Sequence, residues 1–414
     1  MTSSSDRSST PEVLDRLHRA EWGRLLSLLV ARTRRLDLAE DALSEAFARA
    51  AARWPDDGVP TNPPGWLYRT AHRQVVSWLR SEAVAARKAP LVAVRSDWVA
   101  PEDSFDDLPD ERLQLILLCC HPALSPTSRS ALALRLVLGT RTDEIARLFL
   151  VAPTAMAARL TRAKKKIVGA GIPLAAPAAD ELRARLDEVC RTIYLAFTAG
   201  YTPGQGPRLL RADLAGQAVR LAAILRELTP GAPQVEALLA LLTLQHSRRD
   251  ARERDGTLVT LAEQNRAAWH GGEIRAGLAL VAGVAPTRGY AEELRLQALI
   301  AAEHARAPAA QATDWGAIAR LYERLEALTG SPIVRLNRAV AVAEVSGPGA
   351  GLALLATLDE SLGRHHRLAA VRAELAVRAG DAGLARASYE RAIELCTNDV
   401  ERAYLRQRLG GLRS

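Results

Sequence analysis

Apolar residues recur at intervals of three and four along nearly the whole chain, the period of helices with one buried face. Leu14, Leu17, Leu25, Leu28 and Leu29 predict a first helix; Leu38, Ala42, Leu43, Ala46 and Phe47 predict a second. Pro55 to Pro64 reads as a loop, and a third helix starts at Trp66 with Leu67, Ala71, Val75, Trp78 and Leu79 on one face. The pattern breaks from about Ala83 to Pro109, where Glu102, Asp103, Asp106 and Asp107 make an acidic linker. It resumes at Leu113. Pro122 and Pro126 bracket a turn with Ser125 as N-cap, and Gly139 stops the helix that follows. Thr142 is placed to cap a short helix that carries Asp143 and Glu144 in its first turn, where the helix dipole favours acids. Pro153 opens a further helix reaching about Val168. Residues 171–179 form a second linker, and the chain is helical from Asp180 onward. Near its end, Gly380 separates two helices, and Ala385, Tyr389 and Ala392 match the small/aromatic/small spacing of a tetratricopeptide second helix. Plain helical hairpins share that pattern, as does the weaker echo at Ile333–Leu358.

Composition supports an all-α reading. Of 414 residues, 48% are apolar, enough for real cores, and only 4% are aromatic, which argues against a sandwich or barrel. No apolar run spans a bilayer, and Met1–Thr10 carries no export signal, so a cytoplasmic protein without membrane contact is expected. Four cysteines without framework spacing imply a reducing compartment. Cys119-Cys120-His121 is a poor metal corner, because adjacent cysteines diverge on a helix, so no metal is expected. Hydrolase, metalloprotease and P-loop motifs do not occur, and Gly204-Gln205-Gly206 lacks the helix-opening glycine of a phosphate loop. We expect no enzyme, no catalytic residues and no cofactor.

The net charge of +8 says little as a total, and the arginine excess reads as coding bias. Placement says more: three of the four lysines, Lys164, Lys165 and Lys166, are consecutive. They lie in the helix from Pro153, which with the helix from Thr142 has helix-turn-helix dimensions. Projected at 100° per residue, Met156, Leu160, Ala163 and Ile167 face the core. Thr154, Ala158, Thr161, Arg162 and Lys165 face away, flanked by Arg159. Small residues permit close approach to a major groove, and the cations suit guanine edges and phosphates. The helix from Trp66 projects Arg69, His72, Arg73 and Arg80 from its polar side, after a proline-rich loop holding Asn62. Aromatics beside cations suit an unstacked strand. Each segment alone also fits an ordinary amphipathic helix.

Their order is the stronger signal: a four-helix domain ending in a basic, aromatic helix, an acidic linker, then a helix-turn-helix. The first 170 residues resemble an extracytoplasmic-function sigma factor of bacterial RNA polymerase. Ala39-Glu40-Asp41 with Glu45 and Phe47 resembles the family's region 2 helix that docks on the polymerase β′ clamp helices. Trp66-Leu67-Tyr68-Arg69 through Trp78-Leu79-Arg80 resembles its −10-reading helix. Thr142-Asp143-Glu144-Ile145-Ala146 through Ala158-Arg159-Leu160-Thr161-Arg162-Ala163 resembles its −35-reading helix-turn-helix. Cys119 through Pro126 and the repeat-like tail are similar to a subgroup with a long helical C-terminal extension.

The resemblance implies region 2 at 10–83, an acidic linker at 84–109, region 4 at 110–170 and a tetratricopeptide-like extension at 180–414. It implies core polymerase contact through Asp41 and Glu45 and at the β flap. It also implies −10 contacts from Asn62, Trp66, Arg69, His72, Arg73 and Arg80. Contacts to −35 DNA would come from Thr154, Ala158, Arg159, Thr161, Arg162 and Lys165. The chain departs from the family pattern at Arg73 and Ser77, where Asn and Asp are usual, and at Thr198-Ala199-Gly200-Tyr201, where the subgroup often has Asn-Glu-Gly-Tyr. The extension reads as a built-in regulator or as a partner-docking solenoid. Its basic stretch His246–Arg252 reads as a solvated helix end or as an interface with the sigma domains or the polymerase. A helix-turn-helix regulator of duplex DNA with a docking scaffold is the rival reading; it would bind its operator without core polymerase.

Overall fold

A computed structural model describes residues 10–86, 111–149, 151–169, 179–201, 212–254 and 257–412. Residues 87–109 of the acidic linker expected at 84–109, and most of the second linker, lie outside the described residues, while 84–86 are helical. The chain divides into two units, with the boundary between Thr192 and Ile193.

In the first unit, α1 (Thr10–Thr33), α2 (Leu36–Asp57) and α3 (Pro63–Ala86) pack around Leu25, Leu29, Leu43, Ala46, Leu67 and Val75. Three long helices make this bundle among the described residues, where the sequence order suggested four. The expected loop from Pro55 to Pro64 is also shorter. Pro55 is held in the last turn of α2, while Pro63 and Pro64 occupy the first turn of α3, where a missing N–H costs nothing.

Next come α4 (Arg112–Cys119), α5 (Pro126–Leu136), α6 (Thr142–Leu148), α7 (Pro153–Gly169) and α8 (Ala179–Tyr201). Ser125 caps α5 as expected, its hydroxyl accepting from the Ser128 amide at 3.4 Å. The cap of α6 is Arg141 rather than Thr142, which is the first helical residue. Glu144 reaches back so that its Oε2 accepts the Arg141 amide at 3.2 Å, half of a capping box. The first half of α8 packs on α4 and α5. Arg185 donates to the Leu117 carbonyl at 2.8 Å, Ser130 donates to the Thr192 carbonyl at 3.3 Å, and Arg129 pairs with Glu188.

The second unit continues with α9 (Ala212–Leu228) and α10 (Pro233–His246). A two-residue antiparallel ladder follows, β1 (Glu253–Arg254) with β2 (Thr257–Leu258), a small departure from all-α structure. The chain then forms α11 (Gly271–Ala282), α12 (Gly289–Arg306), α13 (Trp315–Thr329), α14 (Pro332–Ser346), α15 (Pro348–Ala356) and α16 (Asp359–Leu362). It ends with α17 (His366–Arg378), α18 (Ala382–Leu395) and α19 (Asp399–Gly411). Helix α10 is buried nearly all round, from Val235 to Leu244, and forms the spine of this unit. Ala385, Tyr389 and Ala392 are fully buried between α17 and α18, and Tyr389 Oη donates to Glu374 at 2.6 Å. Among the described residues no helix is long and apolar enough to cross a membrane.

Candidate nucleic-acid and polymerase interface

Helix α7 sorts its residues as its periodicity predicts. Met156, Leu160, Ala163 and Ile167 are buried, against α5 and α6. Thr154, Ala158, Thr161, Arg162 and Lys165 are exposed, and Arg159 is half-buried at the edge of that face. The Thr161 hydroxyl donates to the Ala157 carbonyl at 3.0 Å, which keeps the residue flush with the helix. A short α6, a turn in which the Val151 amide bonds the Ala146 carbonyl, and a longer α7 complete a helix-turn-helix.

The residues expected near −10 DNA do not gather in one place. Trp66 and Arg73 line a cleft of about 410 Å³ between α2 and α3, together with Arg49, Arg53, Thr70 and Gln74. Trp66 stands edge-on to the buried Trp54 at 5.5 Å, and Arg49 donates to Gln74 at 2.8 Å. Asn62 serves the fold, because its Oδ1 accepts the Gly65 amide at 2.8 Å and opens α3. His72 stacks on Tyr68 on another side of the helix, and burial, with the nearby Arg32 charge, lowers its pKa. Arg69 is half-buried, and Arg80 is exposed further along α3. The cleft's α2 residues Arg49 and Arg53 were missed by sequence reasoning. Their i, i+4 spacing put both on one face of α2, but only the packing of α3 brings that face beside Trp66.

Asp41 and Glu45 are exposed one turn apart on α2. Glu45 pairs with Arg49 at 3.0 Å. Partial burial and the adjacent Glu40 raise the Asp41 pKa. Glu40 itself is buried, with a side chain only 5% exposed. Its carboxylate accepts from Arg135 of α5 at 2.7 Å and from Lys164 of α7 at 2.9 Å. Further contacts tie the same two bundles together. The Arg135 guanidinium lies 5.5 Å from the ring centre of Trp22, and His18 packs at 4.7 Å on that ring. Burial and the Arg135 charge lower the His18 pKa, so this imidazole is neutral at pH 7. Two glycines set the approach. A Cβ on Gly23 would stand 2.2 Å from the Val137 carbonyl oxygen. One on Gly139, whose φ is +69°, would stand 2.7 Å from Trp22.

The four cysteines are all free and buried, and burial raises their thiol pKa values, that of Cys120 to about 12. Among the described residues, His366, Cys396 and Glu401 come close enough to share an ion. Glu401 lies 3.1 Å from His366 Nε2, and the charges of Arg367 and Arg252 also bear on it. Positive surroundings of this kind disfavour a cation, and the trio serves as a polar contact between α17 and α19. The basic stretch His246–Arg252 is not a solvated helix end. Arg249 pairs with Glu273 at 2.9 Å, Ser247 is fully buried, and Arg248 lines a cavity.

Comparisons with known proteins agree with this geometry. Residues 17–84 match sigma-70 region 2, and residues 114–167 match sigma-70 region 4. Residues 185–285 match a family of unknown function, DUF6596. No solved structure matches the chain. The chain belongs to the sigma-70 family of transcription initiation factors, with a C-terminal helical extension. Proteins of this family recognise promoters as partners of core RNA polymerase and are not enzymes. An uncharacterized protein of Rhizobium meliloti (strain 1021) is 39% identical over 396 residues, covering 92% of this chain and 91% of its own length. The extension is therefore shared with that relative, since the match cannot be confined to the sigma regions.

Proposed function

We propose that the protein is a cytoplasmic extracytoplasmic-function sigma factor that reads −35 DNA with α7 and captures −10 bases at the α2–α3 cleft. The observation that carries this is the exposed face of α7, with small residues toward its N-terminal end and cations beyond. Thr154 and Ala158 allow close approach to the groove, while Arg159, Thr161, Arg162 and Lys165 contact phosphates or base edges. Asp41 and Glu45 meet the β′ clamp helices, and region 4 meets the β flap. The acidic linker, which resembles the sigma segment of the RNA exit path, joins the two DNA-binding parts. Arg159→Ala with Arg162→Ala should abolish −35-dependent run-off transcription while sparing core binding. The salt dependence of promoter binding should flatten by about two units of slope if both contact phosphate. Loss of core binding in the double variant would make these arginines structural instead. Operator binding without core would favour the duplex regulator.

The sigma bundles in contact through Glu40 form a resting state. Lys164 of α7 touches α2, and α2 packs on α3, so the two DNA-reading helices are about two helix diameters apart, roughly 20 Å. The −10 and −35 elements lie about 85 Å apart along B-form DNA. Promoter binding therefore requires the contact to open, and the extension is a regulator of that step. Ending the chain at Tyr201 tests the regulation. Promoter-dependent activity should change at least about fivefold, and an unchanged yield would remove the regulatory claim. A cut before α8 would not isolate the extension, because it strips away the part of α8 that packs on α4 and α5.

A further inference from the structure

His18 of α1 stands where the two bundles of the first unit meet. Its imidazole lies 4.7 Å from the Trp22 ring and 5.1 Å, edge to face, from Phe47 of α2. The turn between α5 and α6 closes over both α1 rings. A Cβ on Gly139 would stand 2.8 Å from His18 Cε1 and 2.7 Å from Trp22. A glycine at a φ of +69° is what lets that turn come so near. The imidazole is thus a wedge shared by α1, α2 and the α5–α6 turn.

Two features make this place hostile to an imidazolium. Burial comes first, since the slot offers rings in place of water. Arg135 of α5 comes next. Its guanidinium already lies 5.5 Å from the centre of the Trp22 ring, so an imidazolium would share that ring with a like charge. The other charges that bear on His18 are Asp15 and Arg19 of α1 and Glu144 of α6. Asp15 and Glu144 favour protonation, but each by less than burial and Arg135 oppose it. From α2 the ring meets Phe47, and the buried acid of that helix, Glu40, is taken up by Arg135 and Lys164. The contact also holds orphaned polar atoms. The Trp22 indole N–H and the Thr140 hydroxyl are buried without a hydrogen-bond partner. Both regain water when the bundles part, which lowers the cost of opening.

We propose that His18 makes this contact acid-sensitive: protonation of its imidazole parts the two sigma bundles, and a fall in pH shifts the protein toward the form that can span a promoter. The proposal rests on the reading of the contact as a resting state. Once the bundles part, the imidazole is in water, where its ordinary pKa is about 6.5. Above that pH it is neutral in both forms, and the contact is unaffected. Below it, the open form takes up a proton that the closed form refuses. The open-to-closed ratio then rises by up to about tenfold per pH unit, until the closed form protonates as well.

The test places fluorescent probes at the exposed positions 80 and 166 of the full chain and follows their separation at pH 7.5 and 5.5, at one salt concentration. The open-to-closed ratio should rise at least about threefold at the lower pH. His18→Phe keeps a ring against Trp22 and Phe47 but cannot titrate, so its ratio should be the same at both pH values. If His18→Phe does not fold, His18→Gln, which is equally unable to titrate, takes its place. Arg135→Ala with Lys164→Ala tells the two readings apart. If that variant leaves the probes no further apart, the resting state fails and the switch with it. If that variant parts them and acid does not, the resting state stands, His18 is a packing residue and the switch alone is overturned. A full acid response in the His18 variant would also overturn it, because the titrating group would then lie elsewhere.

Discussion

Arg135→Ala combined with Lys164→Ala should separate the two sigma bundles while leaving each folded. Both cations point at one buried carboxylate, Glu40, at 2.7 and 2.9 Å. Removing them strands that charge, and an uncompensated buried charge costs about 3–5 kcal/mol. The cheapest relief is to let Glu40 reach water, and that means parting α2 from α5 and α7. A cost of about 3 kcal/mol would move the open–closed equilibrium by more than about 100-fold. Core binding without DNA should then tighten by up to the inverse of the resting open fraction. DNA is left out of that assay because Lys164 lies on α7, the helix proposed to read DNA. Gly23→Val reaches the same state from the other side of the contact. Its new side chain meets the backbone carbonyl of Val137, which cannot rotate away as a flexible side chain can. Probes at the exposed positions 80 and 166 should move apart in both variants. An unchanged separation in both would refute the resting-state reading.

Helix α7 was legible because its pattern is local. Burial of Met156, Leu160, Ala163 and Ile167 follows from a 100° step along one helix, and needs no knowledge of what they pack against. The same holds for Ala385, Tyr389 and Ala392. Glu40 was not legible as a cross-domain ion-pair centre. Its partners stand 95 and 124 residues away, and nothing in the α2 pattern marks an acid on its buried edge for a partner so distant. Local rules also misassigned the start of α6. A threonine before two acids looks like a cap, but Glu144 can satisfy the Arg141 amide from inside the helix, which moves the boundary back by one residue. The cavity in the extension was hidden for the same reason as the Glu40 pairing. Arg248 reads as one charge in a basic run until the fold turns its neighbours Arg249 and His246 toward Glu273 and leaves Arg248 lining the cavity.

Trp66→Ala should cut open-complex formation on a duplex promoter by about 10- to 100-fold, the loss expected when one stacked base is deprived of its platform. Trp66 is half-buried, and its cleft is rimmed by Arg49, Arg53 and Arg73, so a base laid on the ring has its phosphates beside cations. Drawing a base from the duplex costs a few kcal/mol, and the cleft must offset that cost for melting to proceed. Two controls separate capture from folding. Trp66→Phe keeps an aromatic surface and the edge contact to Trp54, so it should recover most of the activity. A promoter melted in advance removes the extrusion cost but still needs the platform, so the alanine variant should remain weaker there by a smaller factor. Arg53→Ala with Arg73→Ala should act differently. It should weaken binding to single-stranded −10 DNA at low salt most, and flatten the salt dependence by about 0.7 of a slope unit for each phosphate that is no longer neutralised. If Trp66→Ala melts promoters normally, or if Trp66→Phe fails as badly as alanine, the ring is a core residue propping Trp54 and the bases are captured elsewhere.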